Sequence, residues 1–188
     1  MKLIQTAIPD VVIIEPQVFE DGRGWFMESF NEQRFHAELV KLGLPAPRPF
    51  VQDNHSCSKK GVLRGLHYQL PPHAQGKLVR VTQGAVFDVA VDIRQGSSAF
   101  GQWVGVELTS INNKMLWIPE GFAHGFIALA DNTHFHYKST DYYAKDCEAA
   151  LRWTDPQLAI QWPQVDKLII SQKDQQAPLF SQQAEADK

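Results

Sequence analysis

The chain has 188 residues, 44% hydrophobic and 21% charged, the balance of a globular domain long enough to bury its own core. Eighteen basic against twenty-one acidic residues leave a formal net charge of -3, which argues against nucleic-acid binding by bulk charge while leaving room for a few placed cations to hold a small anion. No run approaches the ~18 apolar residues of a membrane span, the N-terminal Met1-Lys2-Leu3-Ile4-Gln5-Thr6 has no apolar signal core, and Cys57 and Cys147 form no disulfide framework or metal-knuckle pair. A single cytoplasmic domain over residues 1–188 is expected.

In chain order, strand patterns fall at Val11 to Ile14 and Trp25 to Phe30. One helix follows. Asn31 is an N-cap type, Phe35, Leu39 and Leu42 recur at i, i+4 and i+7, and Gly43 is a stop. Pro45, Pro47 and Pro49 force extended chain. Strand patterns resume at Phe50 to Asp53, Leu78 to Thr82, Phe87 to Ile93, Trp103 to Leu108, Met115 to Ile118, Phe126 to Ala130 and His134 to Lys138. In the third of these, Phe87, Val89, Val91 and Ile93 share one face. Turn signals separate the strands at Asp21-Gly22, Gln83-Gly84, Gln95 to Ser98, Asn112-Asn113 and Asp131-Asn132. Strands spaced near ten residues predict an all-β sandwich or barrel with a few short helices. The polar tail, Ser181 to Lys188, is expected to fray.

Four stretches hold side chains able to do chemistry. Arg64, His67 and Lys77 lie within fourteen positions on strand-like sequence, with Gln52-Asp53-Asn54 just upstream. An Arg can fork onto phosphate, a His can move a proton near neutral pH, and a Lys can meet charge developing on oxygen. Each could equally be an ordinary edge-strand residue. His124, between glycine and apolar neighbours, is either a ligand-facing group or a satisfied core histidine. On the strand around Phe135, parity puts Tyr137 on the same face and His134 and His136 on the other. If Phe135 is core, the Tyr137 hydroxyl points inward and needs a partner. Asp174, ahead of Pro178, reads alone as a turn or cap residue. Beside a histidine it would fix the imidazole tautomer.

Gly61, five residues, then His67 resembles the opening of the cupin metal motif, and Pro119-x-Gly121-x-x-His124 resembles its second half. The first motif departs from the pattern, since His67-x-Gln69 replaces His-x-His and the expected Glu is missing. Two histidines without a clear carboxylate are short of ligands for zinc or iron. His134-x-His136 could add two.

A more specific resemblance covers residues 7 to 180. Asp21-Gly22-Arg23-Gly24-Trp25-Phe26, Gln52-Asp53-Asn54, Gly61 to Gln69, Gln75-Gly76-Lys77, Phe87-Asp88-Val89, Phe100-Gly101, Trp117 to Gly125, Tyr137-Lys138, Asp141-Tyr142-Tyr143 and Ser171-x-x-Asp174-x-x-x-Pro178 stand in family order. By these motifs the chain resembles the bacterial dTDP-4-dehydrorhamnose 3,5-epimerase family. The resemblance implies a cupin-like antiparallel jelly-roll barrel, without cofactor or metal, acting as a homodimer on dTDP-4-dehydro-6-deoxy-D-glucose. It implies His67 as base, Asp174 as its partner, Tyr137 as acid and Lys77 as support for an enolate. It carries Arg23, Glu28, Gln52, Asp53, Asn54, Arg64, His124, Glu148 and Lys173 over as substrate-binding positions. The second subunit would contribute part of the nucleotide site, with Phe19 and Phe26 as candidates to stack on thymine. A metal-dependent cupin enzyme and a non-catalytic sugar-nucleotide binder are the competing readings, because jelly rolls host many functions.

One geometric expectation is independent of family. On a regular strand Arg64 and His67 have opposite parity. If both line one pocket, the strand must bulge, and Gly65-Leu66 is the place.

Overall fold

The computed structural model describes residues 1–181, so all of the expected frayed tail except Ser181 lies outside the described residues. In chain order the strands are β1 (Lys2–Gln5), β2 (Val12–Glu15), β3 (Val18–Asp21), β4 (Gly24–Met27), β5 (Gln52–Ser58), β6 (Val62–Gln69), β7 (Lys77–Gln83), β8 (Ala85–Asp92), β9 (Trp103–Thr109), β10 (Met115–Ile118), β11 (Phe122–Ala128), β12 (Thr133–Ser139), β13 (Glu148–Ala150) and β14 (Ile169–Ile170). Helix α1 (Glu32–Lys41) follows β4, and the single turn α2 (Gln172–Gln175) follows β14.

Two sheets face each other, one ordered β1-β2-β10-β7-β12-β5 and the other β13-β6-β11-β8-β9, with β14 alongside β6. Only the β14–β6 pair is parallel. The antiparallel two-sheet barrel expected from strand spacing is therefore the observed architecture. Between the sheets, Val79, Val81 and Phe135 meet Val86, Ala90, Phe122 and Phe126. A second apolar layer covers the far side of the second sheet, where Leu66, Val89 and Val91 pack under Leu151, Leu158 and Phe180. β8 is thus buried on both faces, rather than only on the Phe87-Val89-Val91 face that its alternation marks.

Helix α1 closes the outside of the first sheet. The Asn31 side chain accepts from the Arg34 N–H at 3.1 Å, satisfying one donor that the first turn would otherwise leave bare. Gly43 ends the helix at φ +78°, a conformation cheap only for glycine. Phe35 and Leu39 bury against Leu78, Met115 and Trp117. Phe35 makes an edge contact with the Trp117 ring at 5.6 Å.

Four short strands carry no clear sequence signal: β1, β3, β13 and β14. The strand expected at Phe126 begins earlier, at Phe122, and so includes His124. The β3–β4 hairpin stands apart as its own two-stranded sheet. It leaves Phe26 71% exposed, with Phe19 and Trp25 also outside the core.

The bulge expected in β6 is present. Against β11, His124 pairs with His67 while Phe126 pairs with Arg64, so two steps on β11 match three on β6. Gly65 sits at φ +118°. A Cβ there would stand 2.6 Å from the Gly125 Cα, and one on Gly125 would stand 2.7 Å from the Arg64 carbonyl oxygen. The extra residue flips the parity of β6, so Arg64 and His67 line one cavity.

The α1 layer is testable. Phe35→Ala removes a fully buried ring and is expected to destabilise the fold by about 3–5 kcal/mol. Urea unfolding at fixed protein concentration measures it; a loss below about 1 kcal/mol would mean that α1 is not part of the cooperative core.

Candidate active site

Between the two sheets lies a cavity of about 240 Å³. β6 supplies Arg64 and His67, β7 supplies Lys77, β11 supplies His124, β12 supplies Tyr137 and β13 supplies Glu148. Six side chains widely separated in sequence converge because antiparallel strands present alternate residues to the same interior.

His67 meets a carboxylate 107 positions away. Its Nε2 lies 2.6 Å from Asp174 Oδ1. Asp174 is buried on α2, where the Ser171 hydroxyl caps its N–H at 3.1 Å. Burial alone would push the Asp174 carboxyl up. The hydrogen bond and charge of His67, with Ser171 and the Gly65 N–H, outweigh it and hold Asp174 below the usual carboxylate range. An ionised Asp174 accepts from Nε2–H, so the neutral imidazole carries its lone pair on Nδ1.

Lys77 is only 9% exposed. Burial pulls its ammonium down to about 8, against the attraction of Asp88 and Glu148. Its Nζ reaches the His67 carbonyl oxygen at 3.4 Å, a long hydrogen bond. Burial raises the Tyr137 phenol, Arg64 opposes this and Glu148 adds to it. Tyr137 therefore stays protonated well above neutral pH. The Phe135–Tyr137 parity reading holds, since both line the cavity while His136 lies on the opposite face.

At the rim, Lys173 Nζ lies 2.6 Å from Glu148 Oε2, and the Tyr143 hydroxyl donates to the same oxygen at 3.1 Å. Arg64 Nε donates to the Ser58 hydroxyl at 3.2 Å. Gln52 Nε2 donates to Asn54 Oδ1, and Gln52 Oε1 accepts from the Tyr143 N–H. Asp53 instead faces the outside of the first sheet, paired with Lys138 at 3.0 Å. Arg23 is 91% exposed at the β3–β4 turn and pairs with Asp21. Glu28 accepts from Arg34 at 3.3 Å. Of the sequence-predicted binding residues, Arg23, Glu28, Gln52, Asp53, Asn54 and Lys173 do not line the cavity.

Sequence reasoning matched Phe87-Asp88-Val89 to the family but gave Asp88 no role in the site. It is wholly buried on β8, with its oxygens 2.9 and 3.1 Å from His124 Nε2. A polar residue amid alternating apolar ones reads as the wet side of a strand, and here that side faces the interior. The same parity places His55, His134 and His136 together outside the barrel. His55 Nε2 lies 2.8 Å from His134 Nδ1, and the His55 and His136 rings stack at 3.8 Å. Among the described residues, no group of three or more His, Cys, Asp or Glu is arranged to hold a metal ion.

With this geometry in place, likeness to known proteins is decisive. Residues 5–182 match the family described as dTDP-4-dehydrorhamnose 3,5-epimerase. The chain belongs to that family. It is 54% identical over 182 residues to the dTDP-4-dehydrorhamnose 3,5-epimerase of Salmonella typhimurium, covering 97% of both chains. It is 55% identical over 175 residues to the enzyme of that name from Escherichia coli, covering 93% of this chain and 92% of the other. Among solved structures, the Legionella pneumophila dTDP-6-deoxy-D-glucose-3,5-epimerase, in complex with dTDP-4-keto-L-rhamnose, superposes with a TM-score of 0.89. The two are 51% identical, over 96% of this chain and 93% of that one. The protein is thus an epimerase of the dTDP-4-dehydrorhamnose 3,5 type on the cupin fold.

The buried ammonium of this epimerase should be visible in its stability. Unfolded, Lys77 titrates near 10.4; folded, at about 8. Between those values the unfolded chain binds a proton that the folded chain does not, so stability from this group rises with pH across that window. Below pH 8 the folded protein bears a cost on the order of 3 kcal/mol. Lys77→Met is therefore expected to be more stable than the parent at pH 7, with the difference shrinking toward pH 10.5. Urea unfolding across pH 7 to 10.5 decides it; a difference that does not vary with pH would show that Lys77 is not desolvated.

Proposed function

We propose that the protein inverts C3 and C5 of dTDP-4-dehydro-6-deoxy-D-glucose, giving dTDP-4-dehydro-L-rhamnose. The observation that carries this reading is the convergence of the braced His67, the buried Lys77 and the protonated Tyr137 on one ring-sized cavity. The 4-keto group acidifies the C–H bonds on both neighbouring carbons. His67 Nδ1 takes the proton, the C–H electron pair becomes the enolate double bond, and the keto oxygen gains the negative charge. Asp174 stabilises the imidazolium so formed. Lys77 meets the charge on oxygen in a site with little water, where such a contact is strongest. Tyr137 returns a proton from the opposite face, inverting the carbon. His67 then loses its proton to solvent and Tyr137 regains one. C3 and C5 flank the same carbonyl, so one set of groups serves both after a shift of the ring. Redox state does not change.

The nucleotide needs further space. The cavity falls below the ~300–1,000 Å³ of sites that enclose a drug-sized ligand, so the dTDP group lies toward the rim, near Lys173 and Glu148. Arg23, Glu28 and the exposed Phe19 and Phe26 sit on or beside a hairpin far from their own cavity. We place them against the cavity of a second copy, where Arg23 can fork onto diphosphate and an aromatic ring can stack on thymine. Arg64 and His124 on the cavity wall complete the sugar contacts, and Gln52, Asn54 and Asp53 lie outside that cavity, toward the nucleotide.

Incubation in deuterated water with the 4-keto sugar nucleotide is expected to place deuterium at C3 and C5 by NMR. His67→Ala should lower that exchange by at least 10²-fold, the low end of general-base contributions. Tyr137→Phe should keep exchange yet lose inversion. Undiminished exchange in His67→Ala would remove His67 as base, and activity lost to a chelator would favour a metal-dependent reading.

The shared site makes its own demand. Arg23→Ala should raise KM about 10- to 100-fold, the value of a charge-assisted contact, with kcat within a few-fold of the parent. Sedimentation should show a dimer at catalytic concentrations, and a fully active monomer would refute the arrangement.

A further inference from the structure

We propose that Asp88 is a positioning residue for the epimerisation: it is the fixed counter-charge that keeps Lys77 an ammonium ion inside the cavity, and the brace that sets the tautomer of His124. The inference rests on Lys77 acting at the keto oxygen.

Asp88 is 0% exposed. Its hydrogen-bonding partner is one imidazole nitrogen, shared between both carboxylate oxygens at 2.9 and 3.1 Å. A carboxylate has about four acceptor sites, so one N–H leaves it under-served, and a buried charge left this way is costly unless another charge offsets it. Lys77 is in the matching position: buried, with one long hydrogen bond to a carbonyl oxygen. The groups facing Lys77 are Asp88 from β8, His124 from β11, His67 and Arg64 from β6, Tyr137 from β12 and Glu148 from β13. Only two of these are carboxylates. Glu148 is already held by Lys173 at 2.6 Å and by Tyr143 at 3.1 Å, at the rim. That leaves Asp88 to offset the Lys77 charge. The mutual influence is seen from both sides, since Lys77 and His124 pull the Asp88 carboxyl down while burial, the larger effect, pushes it up.

An ionised Asp88 also requires the proton of a neutral His124 to sit on Nε2. His67 and His124 are direct cross-strand partners. The cavity therefore contains two neighbouring imidazoles, each braced through Nε2 by a carboxylate, of which only the His67 pair is partly open to solvent.

Asp88→Asn keeps the shape and an acceptor for His124 but removes the charge. In kcat/KM against pH, the alkaline limb set by loss of the Lys77 proton should move at least one unit lower, with kcat at pH 8 down at least tenfold and KM changed less than threefold. The Lys77 Cε resonance in 13C NMR, assigned by its absence in Lys77→Met, should titrate correspondingly lower. Asp88→Glu, which restores the charge, should return the limb toward the parent. If Asp88→Asn does not fold, Asp88→Ser carries the same readouts. An unmoved limb together with an unmoved Lys77 titration would overturn the proposal. Lys77→Met, run in parallel, separates the two readings: full activity there would sink the role of Lys77 itself, whereas an inactive Lys77→Met with an unmoved limb in Asp88→Asn would sink only that of Asp88.

Discussion

Where β6 crosses β11, there is room for hydrogen and nothing larger. Gly65 and Gly125 face each other with no space for a Cβ on either, and this contact is what allows three residues of β6 to oppose two of β11. The shared face of Arg64 and His67 follows from that slip. Without it, Arg64 and His67 would point to opposite faces, and one of them would be driven into the apolar layer under Leu151 and Phe180. With it, the imidazole comes level with His124, and the Gly65 N–H becomes available to the Asp174 carboxylate. One backbone irregularity thus turns a core strand into a wall of the cavity.

The second organising constraint is charge in a place with little water. Two carboxylates, Asp88 and Asp174, lie behind two imidazoles, and one ammonium lies between the sheets. Each buried charge is expensive alone. With both imidazoles neutral, the two carboxylates outweigh the one ammonium, and Arg64 on the cavity wall supplies the second positive charge. In the proposed reaction the proton taken by an imidazole accompanies the charge gained by the keto oxygen, so the step separates charge without adding any. A desolvated ammonium held in this way is a place where a fold gives up stability.

Much of this was legible in the sequence, and the exceptions have physical causes. Helix α1 could be read end to end because its cap, its i, i+4 spacing and its terminal glycine are all local signals. The bulge could be read because parity is arithmetic once two residues are assigned to one pocket. Six site residues, Arg64, His67, Lys77, His124, Tyr137 and Glu148, do line a single cavity, and Asp174 does brace His67. The place of Asp88 in the site was not legible, although its motif matches the family: in a strand covered on both faces, alternation no longer distinguishes wet from dry. The upstream half of β11 was hidden by Gly121 and Gly125, which break any strand pattern; Gly121 turns the chain at φ +81° and Gly125 allows close backbone approach to β6. The β3–β4 hairpin was read as a strand and a turn, but nothing in a single sequence says that its aromatic residues stay uncovered.

That hairpin explains how the fold divides its work. The cavity is about 240 Å³, so under the proposed function it takes the ring and leaves the diphosphate and base outside. Chemistry and recognition then obey different rules. The proton-transfer groups must be rigid and desolvated, and they sit on paired strands. The groups that hold a charged, solvated nucleotide can be borrowed from a surface that closes over the rim. Arg23 illustrates the point: paired only with Asp21 in the open, its guanidinium contributes little to stability where it stands. It is therefore free to exchange a screened surface pairing for another anion, whereas Lys77, already desolvated among strands, has no such freedom.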